Sequence, residues 1–249
     1  MEVIDLSHAI SPEMPVFPGD PVPCVDPVAS IEREGFATSL FTMGSHTGTH
    51  MDAPAHVRAD APTLDALSAS SFVGSAVVVD CRDAFGGVAF GGVAAGGVAA
   101  EDTAAEGATV GMECITRCGQ TALEAARAAD FLLFDFGWGV HWGSPRYFEG
   151  YPHLGMDVVE FAIETGKKAV GFDAPSVDPF DDAALTRHHA LLTGGVMIIE
   201  NLKCPDRLHA FGDARIAGPF LFAALPLKVS GSDGAPVRAI AVLQDQSKL

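Results

Sequence analysis

Within the stretch Gly44–Val57, GSHTGTHMDAPAHV, stand His46, His50, Asp52 and His56, three imidazoles and a carboxylate crowded into eleven residues. Neutral imidazole nitrogen and carboxylate oxygen are the donors that zinc and manganese take, and their affinity comes from converging before the ion arrives. All four residues occupy even positions, so an extended chain would turn them to one side. A helix would align His46 with His50 but carry Asp52 well round the cylinder. Gly48 and Pro54 also disfavour helix and let the backbone pass close to an ion or a substrate. The spacing predicts an extended metal-binding segment. A lone histidine is more often a hydrogen-bonded surface or core residue than a ligand; three with an aspartate at one parity are hard to explain that way.

The surrounding chain alternates between strand and helix patterns. EVIDL (2–6) and SAVVVDC (75–81) are β-branched runs, TALEAARAAD (121–130) has helical apolar spacing, and FLLFDF (131–136) reads as a buried strand. MDVVEFAIETG (156–166) reads as a helix stopped by Gly166, followed by strands in AVGFDA (169–174) and GVMIIENL (195–202). The last apolar runs, around VSGSDGAP, have a hairpin pattern. Together these predict a mixed α/β protein. GGVAFGGVAAGGVAAED (86–102) repeats too briefly for a solenoid and lacks the GxxxxGK[ST] phosphate pattern, so it reads as a glycine-rich surface insertion.

At 249 residues with 48% apolar and 19% charged content, residues 1–249 are expected to form a single domain. Fifteen basic against thirty-two acidic residues give a net charge of −17, which repels nucleic acid and anionic membranes. No apolar run is long enough to span a bilayer, and acids stand where a secretory signal carries Lys or Arg, so the expected location is cytoplasmic. The odd set Cys24, Cys81, Cys114, Cys118 and Cys204 argues for reduced thiols. The lone Cys114-x3-Cys118 pair reads as structural burial rather than a zinc site.

HTGTHMDAPAH matches the His-x-Gly-Thr-His-x-Asp-x-Pro-x-His signature of the cyclase-like metal-dependent hydrolases, which include bacterial kynurenine formamidase and isatin hydrolase. The resemblance extends along most of the chain through DLSHAISPEMPVFPGDP, GFDAPSVDP, HHALL and IIENL, in the family order. It implies an α/β fold of the swivelling β/β/α type, with mixed sheets and flanking helices, assembled as a homodimer or a higher homo-oligomer. It also implies that His46, His50 and Asp52 hold a first metal, with Asp52 bridging to a second held by His188 and Glu200. The cofactor would be Zn2+ or Mn2+, one or two ions per chain. His189 could exchange places with His188, and the bland reading of Glu200 is an acid at an exposed strand end.

His56 resembles the family's catalytic histidine, and the chemistry agrees: water acidified by a metal becomes a nucleophile, but the leaving amine still needs a proton, which an imidazole can carry. Ser45, Ser144 and Ser176 lack the Gly-x-Ser-x-Gly setting of a serine hydrolase. The implied activity is hydrolytic opening of a formamide or cyclic amide of an aromatic small molecule, with N-formylkynurenine as first choice. Isatin or another cyclic amide or imide is the alternative within this chemistry, and a metal-stabilised binding protein without catalysis is the alternative outside it. Kynurenine formamidases of this family tend to carry tryptophan before Pro-Gly-Asp, where this chain has Phe17. Phe17, Trp138 and Trp142 are the candidate substrate contacts; for the tryptophans the competing reading is packing of a loop or a subunit interface.

Overall fold

In the computed structural model, residues 1–82, 107–209, 212–213 and 215–243 are described; the glycine-rich stretch 86–102 lies outside them. Among the described residues the strands are β1 (Glu2–Asp5), β2 (Cys24–Ala29), β3 (Thr38–Thr42), β4 (His50–Asp52), β5 (Val73–Asp80), β6 (Thr109–Val110), β7 (Phe131–Asp135), β8 (His153–Leu154), β9 (Ala169–Phe172), β10 (Met197–Glu200), β11 (Gly212–Asp213), β12 (Ile216–Pro226) and β13 (Gly234–Leu243). The helices are α1 (Ile31–Glu34), α2 (Glu113–Thr116), α3 (Gln120–Ala128), α4 (Met156–Glu164) and α5 (Thr186–Thr193).

Nine strands form one mixed sheet in the order β1-β13-β4-β10-β9-β7-β5-β12-β11, and an additional β13–β12 pairing closes it into a barrel. The strands β5, β7, β9 and β10 run parallel, as expected where α3, α4 and α5 form the crossovers. Their side chains alternate between two cores. Ala76 and Val78, Phe131 and Leu133, and Met197 and Ile199 point into the barrel with Met51 and Phe222. Val77 and Val79, Leu132 and Phe134, and Ile198 face outward, where Ala122 and Ala126 of α3, Val158 and Phe161 of α4 and Leu191 and Leu192 of α5 cover them. The α/β architecture matches the expected swivelling β/β/α type.

β2 and β3 form a separate antiparallel ribbon with exposed residues along nearly its whole length. The cysteines of this chain are all free thiols, and Cys81 and Cys114 lie in the outer core. No helix among the described residues is long and apolar enough to cross a membrane.

Candidate metal centre

Parity decides where the opening motif points. Met51 fills the barrel, so its neighbours His50 and Asp52 in β4 must face out, toward α5. Antiparallel pairing sets Glu200 of β10 opposite His50 and Ile198 opposite Asp52, which puts Glu200 on the same outer face. His188, on α5, drops onto that face and is 5% exposed, whereas its neighbour His189 is exposed. A helix offers one of two successive side chains to the sheet it packs on, and here it offers His188.

The extended reading holds only for residues 50–52. His46 lies in a turn that precedes Gly48, whose φ of +65° reverses the chain, and His56 closes a 3-10 turn begun by Pro54. The four side chains still meet, because the turns fold the ends of the segment back over β4.

The donor atoms converge closely. His50 Nε2 lies 3.4 Å from both Asp52 Oδ1 and Glu200 Oε2, and His188 Nε2 lies 3.6 Å from Asp52 Oδ2 and 3.4 Å from Glu200 Oε1. His46 Nδ1 stands 2.7 Å from Asp52 Oδ1. The sets His46–His50–Asp52 and Asp52–His188–Glu200 each have one donor atom per residue within 4.8 Å of the others. The far sides of two rings are already committed: His50 Nδ1 donates to Gly48 O at 2.8 Å and His188 Nδ1 to Asp178 Oδ2 at 2.7 Å. Both rings therefore turn Nε2 toward the carboxylates. His50 Nε2 and Asp52 Oδ2 are buried without a hydrogen-bond partner. Orphaned polar atoms of this kind are costly, and a divalent cation between them would satisfy both.

Electrostatics agree. Burial alone would raise Asp52, yet His188 and His46 outweigh it and hold its carboxyl well below the usual range. Burial likewise opposes ionisation of Glu200, but the imidazoles of His188 and His50 beside it lower it. On the partner side, burial would lower His46, while Asp52 and Asp233 raise it to about 9. His188 is raised, against burial, by Asp178, Asp52 and Glu200. Without an ion the buried carboxylates thus hold protons on the imidazoles, and a cation would displace those protons. The residues fit a divalent transition metal, and the donor set is that of a metal-dependent hydrolase.

A family model described as Putative cyclase matches residues 4–179. The chain belongs to this cyclase family. Among curated proteins, the chain is 33% identical over 244 residues to the kynurenine formamidase of Salinibacter ruber, covering 96% of this chain and 97% of that one. It is 29% identical over 240 residues to the kynurenine formamidase of Bacillus cereus, covering 96% of each. Among solved structures, isatin hydrolase A from Labrenzia aggregata superposes with a TM-score of 0.78 at 22% identity, over 98% of this chain and 94% of that one. Isatin hydrolase A from Ralstonia solanacearum gives 0.77 at 22%, over 98% and 92%. At that identity the likeness is one of fold.

The centre opens into a cavity of about 360 Å³ that His56 and Phe17 both line, with Met14, Tyr147, Phe148 and Leu185 as further walls. Trp138 and Trp142 do not line it. Trp138 donates its Nε1–H to Tyr147 O at 2.9 Å, and Trp142 stacks on His8 with ring centroids 3.9 Å apart and packs edge-on against Tyr147. The two tryptophans back the wall, while Tyr147 and Phe148 form its surface.

Several site residues escape a sequence reading. Asp178, which holds His188, stands inside the GFDAPSVDP block but carries no spacing signal. Asn201, at a φ of +58°, turns the chain immediately after Glu200, accepts the Tyr147 hydroxyl at 2.7 Å and donates to Gly48 O at 2.9 Å. Asp233, in the turn before β13, lies 2.9 Å from His46 Nε2 and 3.2 Å from His56 Nδ1. Burial opposes its ionisation, but His46 and His56 hold its pKa down to about 2.

Proposed function

We propose that this protein hydrolyses a formamide or cyclic amide carried by an aromatic small molecule, with N-formylkynurenine as the first substrate to test. The observation that carries the reading is the convergence of buried, unpartnered His50 Nε2 and Asp52 Oδ2 with His188 and Glu200 at the floor of an aromatic-walled cavity. His46, His50 and Asp52 would hold a first Zn2+ or Mn2+, and Asp52, His188 and Glu200 a second. When bound, such a cation supplies Lewis acidity that polarises the substrate carbonyl and acidifies water.

The chain's own groups supply the rest. Phe17 and Phe148, with ring centroids 5.8 Å apart in an edge-to-face contact, would flank an aromatic ring and orient its amide toward the floor. Trp138 and Trp142 would act through Tyr147, keeping that wall rigid. His56 turns Nδ1 to Asp233, which leaves Nε2 as the atom that takes a proton from water and returns it to the leaving nitrogen.

The kynurenine formamidase activity of the relatives at 29 and 33% identity over 96% of this chain supports N-formylkynurenine. Phe17, standing where those enzymes tend to carry tryptophan, supports a second reading in which the substrate is isatin or another cyclic amide. A homodimer in the cytoplasm completes the proposal. The test is turnover of N-formylkynurenine, isatin, a cyclic imide and an aryl lactone by zinc- and manganese-loaded protein. Hydrolysis of the formamide or a cyclic amide, abolished by a chelator and restored by metal, is expected. Metal binding with no turnover across the panel would leave a binding protein instead.

A further inference from the structure

The turn between β12 and β13 brings a carboxylate into the centre from the far end of the chain. Asp233 Oδ2 is the shared partner of His46 Nε2, at 2.9 Å, and His56 Nδ1, at 3.2 Å, and the two rings lie with centroids 4.1 Å apart. The backbone around it is pinned on both sides. Ala53 N donates to Asp233 O at 2.8 Å, Leu64 N donates to Ser232 O at 3.1 Å, and Ser232 Oγ closes onto Gly234 O. Register then sets Gly234 opposite Asp52. Gly234 is itself shaped by the histidine: a Cβ there would stand 2.7 Å from His46 Cε1, so the ring lies directly on its backbone. The Asp233 side chain is 43% exposed, so its place is not explained by packing.

We propose that Asp233 is a positioning residue for the hydrolysis, accepting Nδ1–H from His56 and Nε2–H from His46 so that one carboxylate sets both the proton carrier and a metal ligand. The proposal rests on the roles given to His56 and His46 above. A carboxylate oxygen has lone pairs for two such donors. Its contact with His56 selects the tautomer whose free Nε2 faces the cavity, since the partner of one ring nitrogen determines the state of the other. Its contact with His46 turns Nδ1 of that ring toward Asp52, in the way outer carboxylates orient metal-binding imidazoles. Asp233 neither touches substrate nor moves a proton in this scheme.

The experiment uses zinc-loaded full-length protein, with Asp233→Asn and Asp233→Ala as variants. Nitrogen-15 spectra of the imidazoles, with the His56 signal assigned through His56→Gln, report the tautomer whether or not any substrate is turned over. The Nδ1-protonated form of His56 is expected in the wild type, and its loss in Asp233→Ala. At saturating zinc, kcat of Asp233→Ala should fall by about two to three orders of magnitude, within the range that acid–base catalysis supplies. KM should stay within about threefold, and added formate should restore part of kcat in Asp233→Ala but none in His56→Ala. Three results would overturn the proposal: an unchanged His56 tautomer, a rate loss that follows zinc content and ignores formate, or a zinc ion bound at His56 Nδ1 and lost with Asp233. A wild type that turns over nothing in the panel defeats the proposed function alone, because the spectra still decide the place of Asp233.

Discussion

His56 differs from the other histidines of the centre in what surrounds it. His50 and His188 are buried with Nε2 aimed at Asp52 and Glu200, whereas His56 is half-buried, faces the cavity and has Asp233 as its carboxylate contact. A residue so placed can lose its ring without emptying the floor of the site. His56→Ala is therefore expected to keep most of its bound metal and to lose roughly two to four orders of magnitude in turnover. Elemental analysis beside steady-state rates checks this. Metal loss with a merely proportionate fall in rate would make His56 a ligand. At this scale the motif residues could be read from types and spacing, because Gly48 and Pro54 are local signals. Choosing His188 over His189 required knowing which side of α5 faces the sheet.

At the scale of elements, α3 shows how a helix end and a strand approach are tied together. The helix ends at Ala128, and carbonyls at such an end lack intrahelical donors. Lys167, in the turn between α4 and β9, reaches over to donate Nζ to Arg127 O at 2.7 Å and Ala129 O at 2.5 Å. Burial pushes its pKa down to about 8 from an ordinary 10.5. Since the unfolded chain keeps that proton up to the ordinary value, the unfolded state binds more protons between these limits, and stability contributed at this site rises with pH across that window. Lys167→Met removes the effect. Urea unfolding should show the wild type gaining on the variant by on the order of 2 kcal/mol between pH 8 and 10.5, with little change in the difference below pH 7. Parallel stability curves would show that the amine is not desolvated. Strands such as β7 and β10 and the helices α3 and α4 lie close to where apolar patterns put them. β2 and β3 do not announce themselves, because their exposed alternation resembles loop.

At the scale of the molecule, the β2–β3 ribbon contrasts with the net charge of −17. Val28, Leu40 and Phe41 are 59, 55 and 62% exposed on it, beside Ile31 and Phe36 at 67 and 58%. Exposed apolar side chains of this kind on both faces of a ribbon in an acidic protein favour burial against another surface, and in the proposed homodimer a second copy supplies it. Sedimentation at micromolar concentration should give twice the chain mass. Joint Leu40→Lys and Phe41→Glu substitution should shift it toward the monomer while metal content is retained. A wild type that sediments as a monomer would refute the dimer.

Local rules carried the sequence a long way: His46, His50, Asp52 and His56 named a metal site, and the periodicities around residues 121–136 and 156–174 named alternating helix and strand, because both kinds of signal act over a few neighbouring residues. The sequence pattern could not show that Asp233 belongs beside His46, 187 positions away, or that Asp178 orients His188. Nor could it show that Trp138 and Trp142 back the cavity wall instead of lining it. The Asp233 contact exists only once β13 has paired with β4 on one side and β12 on the other. Closing the barrel in that register brings Gly234 opposite Asp52, and a side chain's neighbours across a sheet follow from strand register, which no local pattern encodes.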